Sequence, residues 1–156
     1  MTHTTGTFLS SDGLTLRTRR WEPRGEVRSR MILIHGIHEH SGRYAQVATE
    51  LMRHGIEIVA LDLRGHGEAE GERAMVESFD EYIQDVRRYV DEVVSQRADV
   101  PLVLFGHSMG GLIVSATVVD RGTEGLSGVA LSSPALALPD STPTLLQLAA
   151  PYVSKW

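Results

Sequence analysis

The sequence predicts an α/β fold with a mainly parallel sheet. Two observations carry that reading. Short apolar runs at Met31 to Ile34, Ile56 to Leu61 and Leu102 to Phe105 look like buried strands of a parallel sheet, and Ser127 to Leu131 looks like one more strand. Helical patterns alternate with them at the spacing of strand–helix–strand units, whose crossovers are right-handed.

The chain opens with a predicted hairpin. Thr5 to Ser10 and Leu14 to Trp21 flank the turn cluster Ser11-Asp12-Gly13. Arg17, Arg19, Arg20, Arg24, Arg28 and Arg30 crowd this region, and we expect a solvated edge that discourages sheet-to-sheet pairing. After the first buried run, Tyr44, Val47, Ala48, Leu51 and Met52 recur at helical spacing, with Gly55 placed to end the helix. Ser78 and Glu81 form a capping-box pair. Phe79, Tyr82, Ile83, Val86, Val90, Val93 and Val94 then trace one face of a long helix ending near Arg97. A further helix runs through Leu112, Ile113, Ala116 and Val119. From Thr142 to Val153 an amphipathic helical piece begins, so we divide the chain into a core over 1–139 and the start of a cap over 140–156.

Composition narrows the chemistry. With 42% hydrophobic and 22% charged residues, the chain can bury a single-domain core. A net charge of -5 offers no attraction to nucleic acid. The absence of cysteine removes disulfides, thiolate nucleophiles and zinc–thiolate sites together. Met1 to Ser11 lacks the pattern of a secretory signal, and no run approaches a membrane span, so a soluble, cytoplasmic protein is expected. The only lysine is Lys155 and no phosphate loop is present, which argues against nucleotide binding.

The strongest motif is Gly106-His107-Ser108-Met109-Gly110. A serine hydroxyl is a poor nucleophile at neutral pH, so it must be presented exposed, beside a base and next to donors for the oxyanion. A tight strand-to-helix turn solves the presentation problem. It leaves Ser108 at the tip, needs Gly106 and Gly110 where a Cβ would clash, and aims the Met109 N–H at the oxyanion. The apolar run before it and the helical pattern after it supply the context that the motif requires.

With this elbow the sequence resembles the monoacylglycerol lipase and lysophospholipase group of α/β-hydrolases. The matching stretches are His35-Gly36-Ile37-His38-Glu39-His40-Ser41-Gly42-Arg43-Tyr44, Asp62-Leu63-Arg64-Gly65-His66-Gly67, Gly71-Glu72-Arg73 and Gly106-His107-Ser108-Met109-Gly110-Gly111. The resemblance implies a three-layer α/β-hydrolase fold and hydrolysis of a lipid-like carboxylic ester through an acyl-enzyme on Ser108, without a cofactor. It places the second oxyanion N–H on Ile37. The family usually carries a serine near residue 69, where this chain has Ala69. Peptidases and other hydrolases share the elbow and remain an alternative substrate class.

In this fold the acid and the histidine of the triad follow the serine. No histidine follows His107, which sits beside the nucleophile and is expected to point away from the attack side. Asp120, Glu124 and Asp140 are assigned to no triad role. The residues after Leu131 are too few for two more strand–helix units of about 30 residues each. We therefore expect the N-terminal portion of a longer hydrolase, holding strands 1–6 and lacking the last two strands and most of the cap. The alternative is a catalytically incompetent half-domain that needs a partner polypeptide. Either way, the sixth strand is expected to be an exposed edge open to self-association, and the cap to make transient contact with a membrane surface.

Two other clusters have competing readings. His35, His38 and His40 with Glu39 could gather on a metal ion, but the oxyanion-loop motif accounts for them and no metal is expected. Glu68, Glu70 and Glu72 could suggest paired carboxylates, yet alternation along a polar loop is the usual pattern of a solvated connection. His54 is expected at a helix C-terminus on the surface, and His66 is expected to be structural.

Overall fold

The computed structural model describes residues 2–97 and 99–137. The predicted hairpin is β1 (Thr2–Leu9) paired antiparallel with β2 (Thr15–Glu22). There follow β3 (Ser29–Ile34), a short 3-10 turn (Ser41–Tyr44), α1 (Ala45–Arg53), β4 (Ile56–Leu61), α2 (Phe79–Gln96), β5 (Leu102–His107), α3 (Met109–Arg121) and β6 (Gly128–Ser132). The boundary expected at 139 and the helix expected over 142–153 lie outside the described residues.

The strands form one six-stranded sheet in the order β1-β2-β4-β3-β5-β6. β2 meets β4 antiparallel, and β4, β3, β5 and β6 run parallel. From β3 the chain steps to β4 on one side and then crosses back to β5 on the other. Strand order thus reverses at β3, and the crevice beyond the carboxyl ends of β3 and β5 is where open α/β sheets bind ligands.

Alternation along the strands sends their side chains into two cores. Ile32, Ile34, Val59, Leu61 and Leu104 pack under Tyr82, Val86 and Val90 of α2 and Ile113 and Val114 of α3. Leu33, Ile58 and Ala60 pack with Trp21 under Ala48 and Met52 of α1. This is the expected three-layer arrangement. Each fully buried aliphatic side chain contributes about 1.5–3 kcal/mol relative to exposure.

The Ser78 capping box forms as predicted: its side chain accepts the Asp80 N–H and the Glu81 carboxylate accepts the Ser78 N–H. The face expected for α3 is corrected. Its buried residues are Gly110, Gly111, Ile113, Val114 and Thr117, while Val119 is 88% exposed. Apolar side chains of α3 lie all round the helix, so periodicity does not choose a face. The choice falls to the glycines, because Gly110 lies on the end of β3 and the residues three, four and seven positions on continue that line. Val47 of α1 likewise stands 51% exposed rather than packed.

The arginine-rich region is also not the uniformly solvated edge expected. Arg30 is fully buried. Its Nε donates to Glu57 at 2.8 Å and its Nη1 to the Val93 carbonyl at 2.9 Å, near the C-terminal end of α2 where a cation suits the helix dipole. β3 and β4 place Arg30 and Glu57 opposite each other in register, and Arg20 reaches Glu57 from β2. Arg17 and Arg19 both pair with Glu68.

A second buried cation organises the β4–α2 connection. Arg64 donates to Asp85 at 2.7 and 2.9 Å, to Glu81 at 2.7 Å and to Asp12 at 2.9 Å, tying α2 and the hairpin turn to the loop after β4. Burial pushes the Asp85 carboxyl up, with the Arg64 guanidinium opposing. β6 closes one side of the sheet, and Val129 and Leu131 are 39% and 42% exposed; among the described residues no strand pairs beyond it. No described helix is long and apolar enough to cross a membrane.

Removing the guanidinium in Arg64→Ala strands the fully buried Asp85 and should cost about 3–5 kcal/mol of unfolding free energy in urea titrations. The double variant Arg64→Ala/Asp85→Ala should lose less than the sum of the two single changes, because both remove the same pairing.

Candidate active site

β3 and β5 end side by side, with Ile34 in register with Gly106, and β6 continues the row with Ser132 opposite His107. The chain leaves β5 through His107 and enters α3 at Met109, so the whole reversal rests on Ser108. Ser108 takes φ 53 and ψ -119 as the N-cap of α3. A non-glycine residue in such a conformation costs of the order of 1–3 kcal/mol and persists only where its surroundings enforce it. Here its N–H donates to the Ser132 carbonyl at 2.9 Å. Its own carbonyl accepts the N–H groups of Gly111 at 3.0 Å and Ala135 at 3.0 Å.

Glycines make the turn possible. A Cβ on Gly106 would lie 2.7 Å from the Gly110 carbonyl carbon, and one on Gly110 would lie 2.8 Å from the Ile34 carbonyl carbon. Both distances are below any real contact, so neither position tolerates a side chain. Gly111 is equally constrained, with a Cβ falling 2.8 Å from Pro134 Cβ, a requirement the five-residue motif does not contain.

The loop after β3 comes up against the elbow. Gly36 packs on the serine, its missing Cβ position lying 3.2 Å from Ser108 Cβ. Ile37 and His38 form the turn just beyond, with His38 at φ 57 and Ile37 46% exposed. Met109 is the first residue of α3, so its N–H belongs to the unpaired donors of a helix N-terminus. Among the described residues neither the Ile37 nor the Met109 N–H has an acceptor. The Met109 N–H at the start of α3, directly after a half-buried serine, is a donor of the kind that can bind an anion forming on an attacked carbonyl, and the Ile37 turn packs beside the serine through Gly36.

Of the histidines in the first loop, His35 is committed to backbone. His35 is fully buried; its Nδ1–H donates to the Gly36 carbonyl at 2.7 Å and its Nε2 accepts the Leu63 N–H at 3.0 Å. Burial lowers its pKa to about 4, so it is neutral and works as a strut between the loops after β3 and β4. His66, expected to be structural, is buried with its Nδ1 2.9 Å from the Arg64 carbonyl. His54 stands on the surface at the end of α1. His107 turns its Nδ1 to the Ser132 carbonyl and hydroxyl, each at 3.1 Å. Among the described residues no cluster of three metal-ligating side chains occurs.

Sequence reasoning missed the anchors. Asp62 is fully buried and accepts the Ser41 N–H at 2.7 Å, the Glu68 N–H at 3.0 Å and the Ser41 hydroxyl. Burial pushes its carboxyl up, and these donors outweigh that, holding it below the usual carboxylate range. It thereby ties the loop after β3 to the loop after β4. Glu39 accepts the Gly36 N–H at 3.1 Å and the Tyr44 hydroxyl at 2.8 Å. Glu68 and Glu70 are likewise not simply solvated: Glu70 accepts the Thr15 N–H at 2.6 Å, so the acidic loop is stitched to β2. The one signal for these roles was that Asp62 and Glu39 stand inside motifs.

Among the described residues no side chain hydrogen-bonds the Ser108 hydroxyl. Asp120 pairs with Arg87 of α2 at 2.9 Å, on the surface and away from the serine.

Known proteins share this arrangement. Residues 25–156 match the serine aminopeptidase S33 family. The chain is 41% identical to a monoglyceride lipase of Mus musculus over 144 residues, covering 92% of this chain and 47% of the lipase. It is 33% identical to a monoacylglycerol lipase of Mycolicibacterium smegmatis, covering 95% of this chain and 52% of that protein. A soluble variant of the Saccharomyces cerevisiae monoglyceride lipase, solved with a substrate analogue, superposes with a TM-score of 0.80 at 25% identity. That match covers 99% of this chain and 52% of the yeast protein. The chain spans about half the length of the curated relatives it matches. A parallel sheet reversing at β3, a glycine-bound serine turn after β5 and this match over most of the sequence agree: the chain belongs to the serine aminopeptidase S33 family of α/β-hydrolases.

Proposed function

We propose that this chain supplies the nucleophile and oxyanion hole of a serine hydrolase that cleaves lipid-type carboxylic esters, monoacylglycerols or lysophospholipids. The observation that carries the reading is the strained Ser108 turn at the N-terminus of α3, with the loop after β3 packed on it at Gly36. The names of the relatives support esters over peptides, since the mouse and mycobacterial proteins are both monoacylglycerol lipases.

On this reading, Ser108 Oγ attacks the ester carbonyl carbon and its proton passes to a general base. The carbonyl oxygen becomes an oxyanion held by the Ile37 and Met109 N–H groups. Collapse breaks the bond to the alkoxy oxygen, which leaves as the alcohol after taking the proton, and the acyl group stays on Ser108. Water then releases the fatty acid by the same steps. No step calls for a metal or an organic cofactor.

The base and its acid have to join these residues from further chain or from a partner polypeptide, because no histidine follows His107. Without them, the oxyanion hole and binding alone leave on the order of a thousandfold acceleration over water.

The protein expressed from its complete open reading frame should be labelled by a fluorophosphonate and should hydrolyse a long-chain monoacylglycerol in micelles. Ser108→Ala should abolish labelling and lower kcat by at least about 10⁴-fold. Labelling that survives the substitution would remove the nucleophile assignment. Faster turnover of an aminoacyl p-nitroanilide than of the ester would favour the peptidase alternative.

Relief of the turn should also be visible in stability. Ser108→Gly should raise the unfolding free energy by about 1 kcal/mol, the relieved strain exceeding the added chain entropy of glycine. A drop in stability in urea titrations would show that the serine sits there without strain.

A further inference from the structure

We infer that Glu39 is a positioning residue for the oxyanion hole: its carboxylate accepts the Gly36 N–H, closes the turn over residues 36–39 and so aims the Ile37 N–H at Ser108. This inference rests on the serine hydrolase reading and adds to it a side chain that acts through the backbone of the loop after β3.

The turn needs such a support. Gly36 is buried, Ile37 is exposed and His38 sits at φ 57, so the backbone reverses within three residues through an uncommon conformation. The acceptor for the Gly36 N–H is not a backbone carbonyl but Glu39 Oε2, at 3.1 Å. The same oxygen accepts the Tyr44 hydroxyl at 2.8 Å, which anchors it to the end of the 3-10 turn before α1. Hydrogen bonds to an ionised acceptor are roughly twice as strong as neutral ones, so one carboxylate oxygen sets both ends of the loop.

The geometry places this support next to the nucleophile. The position where Gly36 would carry a Cβ lies 3.2 Å from Glu39 Oε2 and 3.2 Å from Ser108 Cβ. Carboxylate and serine therefore flank one glycine, and any shift of the carboxylate moves the peptide that leads into Ile37. An ion pair with Arg43 does not explain the residue: the separation is 3.7 Å and Arg43 is 60% exposed, a type of contact that contributes little. The Tyr44 hydroxyl and the Gly36 N–H oppose the upward push of partial burial and hold the Glu39 carboxyl below the usual carboxylate range. With that oxygen committed to two donors, Glu39 is a strut and not the base.

The test compares Glu39→Ala, Glu39→Gln, Tyr44→Phe and Ser108→Ala in the protein expressed from its complete open reading frame, with p-nitrophenyl butyrate as substrate. Glu39→Ala should lower kcat by about 10–100-fold with KM within about twofold, since misaiming one donor forfeits part of the 10²–10³ that such a donor is worth. Glu39→Gln keeps an acceptor of the same shape and should recover kcat to within about threefold, while Tyr44→Phe should lose at least about fivefold. A loss confined to KM, or a glutamine variant as slow as alanine, overturns the positioning role. If Glu39→Ala does not fold, the Tyr44→Phe result decides, and an unchanged kcat overturns the proposal. Should Ser108→Ala retain activity, the serine hydrolase reading itself fails. Loss in Ser108→Ala beside full activity in Glu39→Ala defeats only the role of Glu39.

Discussion

The backbone of α3 lies directly on the end of β3 at Gly110, where a Cβ would come within 2.8 Å of the Ile34 carbonyl carbon. Much else follows from that contact. It draws the N-terminus of α3 up to the carboxyl edge of the sheet, so the chain must reverse between His107 and Met109. Ser108 alone absorbs the reversal and adopts φ 53. The reversal turns the serine toward the loop after β3 and leaves the Met109 N–H without a helical partner. A single approach of two backbones thus sets the exposure of the hydroxyl, the strain in its residue and the direction of a donor at a helix N-terminus.

Buried charge does for the loops what the glycines do for the elbow. Asp62 joins the loops after β3 and β4 through Ser41 and Glu68. Arg64 joins the β4 loop to α2 and the hairpin turn. Arg30 and Glu57 tie β3 and β4 to the end of α2. Such groups are costly to bury, and breaking one member of a pair is more damaging than replacing both. Their common feature is placement at or beside the ends of elements, where they fix how connections enter and leave the sheet and helices.

The strands, the capping box at Ser78 and the elbow were legible because each depends on local pattern. Ile56 to Leu61 is apolar enough to mark a buried strand, and Ser78 with Glu81 marks a helix start. The glycines of the elbow could be read because only glycine fits. The orientation of α3 was not legible: Leu112, Ile113, Val114, Ala116, Val118 and Val119 are all apolar, and contact with β3 rather than hydropathy selects the buried face. Arg30 could not be recognised as buried, since its partner Glu57 lies on a neighbouring strand and the register that joins them is a tertiary fact. Glu39 was visible as part of a motif, but its work depends on Gly36 and Tyr44 being folded around it.

These interactions describe one device: a glycine-bound serine under strain at the N-terminus of a helix, with a carboxylate-braced loop packed beside it. The most direct measurement is a crystal structure of the complete protein after reaction with a phosphonate ester. The account requires the phosphorus to be bonded to Ser108 Oγ and the phosphonyl oxygen to lie about 2.7–3.1 Å from both the Ile37 and Met109 nitrogens. An adduct on another residue, or a phosphonyl oxygen turned away from those two nitrogens, would contradict it.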